Sequence, residues 1–271
     1  MITSVIVLGS TGFVAGLGLF IASKKFAVEK DPRIKEVEEL LPGANCGGCG
    51  MPGCSALAEA IVKGKALPSA CPVADNESVG KIAELLGIEA GSNVKHVARV
   101  KCNGGCQNSP EKYKYYGPSD CHSITMLVGG NKECIYGCVG GGSCVKACAF
   151  NAMEMGEDKI PRIFEDKCTA CGMCVKACPR NIIELMPAEN KFVVNCSSKD
   201  TGAETRKVCS VGCIACRLCV KNCPVDAITV ENNLAKIDPE ICTNCGKCEE
   251  VCPMNTINNY FDSRNPSTYT S

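Results

Sequence analysis

Met1 to Ser23 form a stretch without a charged side chain, closed by Lys24 and Lys25. At about 1.5 Å of rise per residue, a helix over 1–25 reaches the roughly 30 Å of a bilayer's hydrocarbon core. The pattern therefore predicts an N-terminal transmembrane helix. A secretory signal peptide would need its positive charge before the apolar run, and here the charge follows it. By the positive-inside rule the remaining chain lies in the cytoplasm, making this a single-pass protein of the cell (inner) membrane. Gly12 and Gly16, with Gly9 and Gly18 nearby, give the helix a small-residue face for packing against other membrane helices. Beyond a charged connection containing Pro32, the residues Ile34, Val37, Leu40 and Leu41 recur at helical spacing up to Pro42-Gly43. Ser55 to Lys63 and Glu77 to Leu86 also read as helices. From Val94 to Glu133 the periodicity fades. Short alternating strands then return, as in Ala152 to Met155 and Ala227 to Val230.

The second half repeats. Adding 75 takes Cys121, Cys134, Cys138, Cys144 and Cys148 to Cys196, Cys209, Cys213, Cys219 and Cys223. Adding 74 takes Cys168, Cys171, Cys174 and Cys178 to Cys242, Cys245, Cys248 and Cys252. Two similar modules follow one another. The α+β organisation expected is a transmembrane helix over 1–25, a small helical four-cysteine domain over 29–92 and a linking segment over 93–133. Two tandem ferredoxin-like modules over 134–187 and 188–258 and a tail over 259–271 complete it.

The cysteine spacing supplies the chemistry. In Cys213-x2-Cys216-x2-Cys219-x3-Cys223-Pro224, three thiolates wrap one face of a cubane iron-sulfur cluster and the fourth reaches a neighbouring cluster. Cys242-x2-Cys245-x2-Cys248-x3-Cys252-Pro253 reciprocates. One [4Fe-4S] cluster is therefore expected on Cys213, Cys216, Cys219 and Cys252, and another on Cys242, Cys245, Cys248 and Cys223. The same logic gives Cys168, Cys171, Cys174 and Cys148 in the first module. Its partner run is defective, because Gly141 stands where the repeat requires a cysteine. Cys134 is the nearest substitute, giving Cys134, Cys138, Cys144 and Cys178, with Cys121 and Cys106 as rivals. In the small domain Cys46, Cys49, Cys54 and Cys71 form a further set.

These are twenty of the 25 cysteines and imply five [4Fe-4S] clusters. Cys102, Cys106, Cys121, Cys196 and Cys209 are left, and four of them could hold a sixth. A disulfide scaffold does not suit an odd cysteine count in a chain of 271 residues. Structural zinc joins two Cys-x2-Cys pairs across a longer loop and does not explain the trailing prolines. The two histidines, His96 and His122, read as surface or hydrogen-bonded side chains. Aromatics at 5 % and the absence of tryptophan leave little for a conventional core, so the clusters are expected to tie the domains together. Lys+Arg and Asp+Glu both number 29, which argues against a nucleic-acid binder. No G-x-G-x-x-G lies between a strand and a helix, so no dinucleotide site is signalled.

The apolar helix, the Cys46-Gly-Gly-Cys49-Gly-Met-Pro-Gly-Cys54 stretch with Cys71-Pro72, and the modules in that order resemble the B subunit of the Rnf complex. The resemblance covers nearly the whole chain. It implies an electron-transfer subunit of a membrane translocase that passes electrons from reduced ferredoxin towards NAD and couples this to Na+ or H+ movement. Soluble ferredoxin and the other membrane and peripheral subunits would be its partners. Two other readings of the motifs are a membrane-anchored ferredoxin-like subunit of a hydrogenase or redox-sensor reductase, and a zinc-stabilised scaffold. Arg217 and Lys221 lie beside the second module's motifs and are the cations expected to steer an acidic ferredoxin, with Lys176, Arg180, Arg206, Lys207 and Lys247 near them.

Overall fold

The computed structural model describes residues 2–25, 31–91 and 94–260. The first helix, α1 (Ile2–Lys25), is 24 residues long. Its described side chains are Gly9 and 12–22, and Phe13, Val14, Leu17 and Leu19 among them are exposed. Among the described residues no helix is long and apolar enough to cross a membrane. The expected span is thus met as a helix, while the eleven consecutive side chains described cover only about 16 Å of axis.

The small domain is three helices around one core: α2 (Pro32–Leu40), α3 (Cys54–Val62) and α4 (Asn76–Leu86). Asp31 caps α2 by accepting from Arg33 N at 3.0 Å, with Pro32 at the first position, where its missing N–H costs nothing. Asp75 caps α4 through Ser78 N at 2.8 Å, and Gly87 ends it with φ +65°. Val37, Leu57, Ile61, Val79 and Ile82 meet in the interior, and Cys71 is packed among them. A 3-10 turn at Pro68–Ala70 presents that cysteine.

Four two-stranded antiparallel sheets follow. β1 (His96–Val100) precedes α5 (Cys121–Met126) and α6 (Ser143–Lys146). The hairpin β2 (Met153–Met155) and β3 (Pro161–Ile163) leads to α7 (Met173–Lys176) and β4 (Ile183–Pro187). β5 (Phe192–Val194), α8 (Gly202–Val208), α9 (Leu218–Lys221), the hairpin β6 (Ile228–Glu231) and β7 (Leu234–Ile237), α10 (Lys247–Glu250) and β8 (Ile257–Asn259) repeat the plan. β1 pairs with β4 and β5 with β8, so each module is closed by a strand preceding its first cysteine run.

This pairing corrects three expectations. The segment 93–133 supplies β1 and so belongs to the first module. Asn259 and Tyr260, placed in a tail, close the second module, and Tyr260 is buried. Cys102, just after β1, is the counterpart of Cys196, just after β5, whereas spacing alone matched Cys196 to Cys121. The first module carries a longer insertion between strand and cysteine run, and Cys121 rides on it. The rest of the tail lies outside the described residues.

The units are stitched closely. A Cβ at Gly48 would lie 2.6 Å from Cys171 O, so only glycine lets the small domain sit on the first module. Asn103 N donates to Asn195 O at 3.0 Å and Ser197 Oγ to Lys101 O at 2.8 Å across the two modules. Arg99 of β1 is fully buried, pairs with Glu165 and lies 4.2 Å from the Tyr260 ring centroid. Removing one member of a buried pair leaves a charge without its counter-ion, which costs about 3 kcal/mol or more. Glu165→Ala should therefore lower the anaerobic thermal unfolding midpoint well below that of an exposed-pair variant such as Glu77→Ala; equal midpoints would show that the pair holds nothing together.

Candidate metal centres

Each cysteine run of the modules bends the same way. The residue before the second cysteine position is left-handed in all four: Gly140 (φ +75°), Ala170 (+55°), Ala215 (+54°) and Asn244 (+56°). So is the residue after it: Gly142 (+72°), Gly172 (+76°), Arg217 (+61°) and Gly246 (+80°). Alternating right- and left-handed residues turn successive N–H groups into one concavity, a nest suited to an anion. Ala170, Ala215 and Arg217 hold this bend at a cost of about 1 kcal/mol each or more, without glycine's freedom. Such strain persists where the surroundings fix it. The nest residues were not legible from spacing alone.

Several cysteine sulfurs accept backbone N–H groups. Cys148, Cys223 and Cys252 each accept from the residue four positions on, Ala152, Ala227 and Thr256, at 3.3 Å. Cys196 accepts from Ser198 N at 3.4 Å and Cys102 from Cys138 N at 3.3 Å. Donors aimed at sulfur favour thiolates and raise the potential of any cluster they hold.

Three cavities gather four cysteines each. Cys213, Cys216, Cys219 and Cys252 line one, the grouping that the spacing predicts. Cys121, Cys138, Cys144 and Cys178 line a second. Cys102, Cys134, Cys196 and Cys209 line a third. Elsewhere Cys174 lies within charge-interaction range of Cys168, Cys171 and Cys148, and Cys248 of Cys242 and Cys245, with Cys223 in the same core as Cys248. Cys71 is similarly near Cys49 and Cys54, while Cys46 lies near Cys171 of the adjoining module.

The second cavity corrects the expectation for the defective run. Cys121, not Cys134, joins Cys138, Cys144 and Cys178. A Cβ at Gly141 would lie 2.8 Å from Cys121 N and 2.9 Å from the Asp120 carbonyl carbon, so the start of α5 occupies the space a side chain there would need. Ser143 Oγ accepts from Cys121 N at 2.8 Å and donates to Asp120 at 2.8 Å, pinning α5 to α6. Cys134 instead faces Cys102 and Cys209. Cys106 is exposed and joins none of the three cavities.

Burial pushes the thiols of Cys144, Cys174, Cys196 and Cys248 up to about 12 and that of Cys219 up to about 11. Cys138 moves further the same way, because burial and the neighbouring Cys102 both oppose its anion. Thiolates in these cavities therefore need cationic iron, and loading would release protons. Four cysteine sulfurs at each of these cavities, several of them accepting backbone N–H groups, are the donor set of a [4Fe-4S] cluster, and the residues fit one.

The other expected positions divide. Arg217, Lys221 and Lys247 are exposed beside Cys216 and Cys245, which are exposed themselves. Arg180 instead donates to Ile135 O and Gly129 O, which commits it to internal packing, while Lys176 is exposed and its Nζ donates to Gly47 O of the small domain at 3.4 Å. His96 Nδ1 lies 2.7 Å from Val94 O and His122 is exposed.

A family model described as a 4Fe-4S dicluster domain matches 133–182 and 212–256, and an Fe-S cluster family model matches 41–73. The chain is 48 % identical to the B subunit of the Na(+)-translocating ferredoxin:NAD(+) oxidoreductase complex of Acetobacterium woodii, over 93 % of this chain and 75 % of that protein. The chain belongs to the family of B subunits of ion-translocating oxidoreductase complexes. Two other B subunits are each 45 % identical: that of the ion-translocating oxidoreductase complex of Methanosarcina acetivorans, over 95 % of this chain and 97 % of that protein, and that of the proton-translocating ferredoxin:NAD(+) oxidoreductase complex of Clostridium ljungdahlii, over 95 % and 92 %. In this member of the family the dicluster match begins at 133 and so leaves out Cys102 and Cys121, which reach their cavities from the insertion after β1.

Gly141→Ala should force α5 away from the run and speed bleaching of visible absorbance under a chelator severalfold. Gly80→Ala on α4, whose Cβ would meet nothing within 4 Å, is a control for the substitution itself. Equal bleaching in wild type and Gly141→Ala would contradict the placement of Cys121.

Proposed function

We infer that this chain is the multi-cluster electron-transfer subunit of an ion-translocating ferredoxin:NAD oxidoreductase, carrying electrons from reduced ferredoxin towards NAD while the complex moves Na+ or H+. The observation that carries this reading is the order of the cysteine groups in space. Cys46 of the small domain is next to Cys171, and Cys174 next to Cys144. Cys138 N donates to Cys102 Sγ, and Cys213 N donates to Cys196, linking the third cavity to the groups on both sides. At the last junction Cys248 and Cys223 share one core with Cys213 and Cys219 of the preceding group. Bound [4Fe-4S] clusters supply one-electron carriers. Six groups account for twenty-four cysteines and leave Cys106 aside.

The ligand sets that follow are Cys46, Cys49, Cys54 and Cys71; Cys148, Cys168, Cys171 and Cys174; Cys121, Cys138, Cys144 and Cys178; Cys102, Cys134, Cys196 and Cys209; Cys213, Cys216, Cys219 and Cys252; and Cys223, Cys242, Cys245 and Cys248. The third cavity carries the sixth set. Its ligands come in pairs from equivalent places, Cys102 and Cys134 from the first module and Cys196 and Cys209 from the second. Without it the two modules would be separate carriers.

The two ends of the row differ in exposure, which supports a direction. Cys216 and Cys245 are exposed in the second module, with Arg217, Lys221 and Lys247 around them. That end is suited to an acidic ferredoxin. The small domain follows α1, whose exposed Phe13, Val14, Leu17, Leu19, Phe20 and Ile21 need an apolar surrounding. Bilayer and polytopic partner subunits provide one, so the Cys46 group delivers electrons at the membrane.

The test is Cys209→Ser in the intact complex. It should remove about four irons and cut ferredoxin-driven NAD reduction at least tenfold, since it interrupts the cysteine group between the modules, whereas Cys106→Ser should leave both unchanged. Full activity with Cys209→Ser would sink the serial row.

A further inference from the structure

Two charged side chains are buried almost completely among the described residues, Arg99 and Lys132. Arg99 has a carboxylate partner in Glu165. Lys132, at 2 % exposure, has no carboxylate within ion-pair distance among the described residues; its Nζ donates to Gly104 O at 2.8 Å. An ammonium has three donors, so this bond leaves two. Lys132 lines the cavity of Cys102, Cys134, Cys196 and Cys209. Burying an ammonium without a counter-charge costs several kcal/mol. The counter-charge must therefore come from what the cavity holds.

We propose that Lys132 is a fixed positive charge that raises the reduction potential of the cluster held between the two modules, making the junction a step where the electron is held. This rests on the ligand set proposed above. A [4Fe-4S] core with four thiolates carries two net negative charges when oxidised and three when reduced. A buried cation beside it stabilises the reduced form more, and net charge and burial are among the determinants of cluster potential. The pseudo-symmetry sharpens the point. Lys132 precedes Cys134 by two residues, and Lys207 precedes Cys209 by two, yet Lys207 is exposed on α8. One module turns its lysine inward and the other outward, so the junction receives a single added charge. Of the other two four-cysteine cavities, one is lined by Arg180, which is committed to Ile135 O and Gly129 O, and the other by the exposed Arg217.

The test is an anaerobic redox titration of the full chain followed by electron paramagnetic resonance, comparing wild type with Lys132→Met and Lys132→Arg. Lys132→Met should keep its iron and lower the reduced-to-oxidised ratio of one cluster about tenfold at fixed poise, a shift of about 59 mV to lower potential for one electron. Lys132→Arg should stay within about threefold of wild type. Identical titrations for wild type and Lys132→Met, with iron intact, would overturn the proposal. Loss of about four irons in both Lys132→Met and Lys132→Gln would also overturn it, by assigning Lys132 to holding the cluster. A wild-type protein with iron for only five clusters would overturn instead the ligand set on which the proposal rests.

Discussion

A thiolate cannot be kept inside an apolar fold unless something positive compensates its charge. This constraint shapes the protein. Eleven of its thiols are buried, four of them, Cys144, Cys174, Cys196 and Cys248, are pushed up to about 12 because burial opposes their anions, and these lie in the same cores as the aliphatic side chains of both modules. Each iron-sulfur cluster would tie four chain points at once, which compensates for a composition with 5 % aromatics and no tryptophan. The left-handed bends at Ala170, Ala215 and Arg217 belong to the same account, since the backbone is held in a strained nest around the place where negative charge gathers.

The same arrangement separates what is repeated from what is particular. The paired strands and cysteine runs are a duplicated frame. The differences between its halves carry the specific chemistry. Where the first module has Gly141 in place of the second module's Cys216, its longer insertion brings Cys121 from α5, and the space that a Gly141 side chain would fill belongs to the backbone at the start of α5. Where the two modules meet, equivalent cysteines from each half face a shared cavity, and only one half turns a lysine into it. Apart from Cys106, which joins none of the three cavities, the exposed cysteines are Cys216 and Cys245 of the second module.

Much of this was legible in the sequence. The spacing of Cys213, Cys216, Cys219 and Cys252 predicted the group that lines one cavity, and the helices of the small domain followed from their apolar periodicity and caps. Cluster motifs are local, so their spacing reads directly. Spacing offered Cys121 only as a rival to Cys134 and could not choose it, because its place depends on an insertion folding back across twenty residues onto Gly141. Nor was the pairing of Cys102 with Cys196 legible, since numerical spacing matched Cys196 to Cys121 and only the strand partners β1 with β4 and β5 with β8 reveal the true equivalence. The burial of Lys132 is likewise a tertiary fact: a lysine beside a cysteine reads as surface until its surroundings are known.

The most direct test of the central claim is an anomalous-scattering map of the full chain, purified without oxygen and recorded at the iron absorption edge. The account predicts six iron centres in one unbroken row, with one of them lying between the two modules within reach of Cys102, Cys134, Cys196 and Cys209. A gap at that junction, or scattering at the zinc edge in its place, would contradict it.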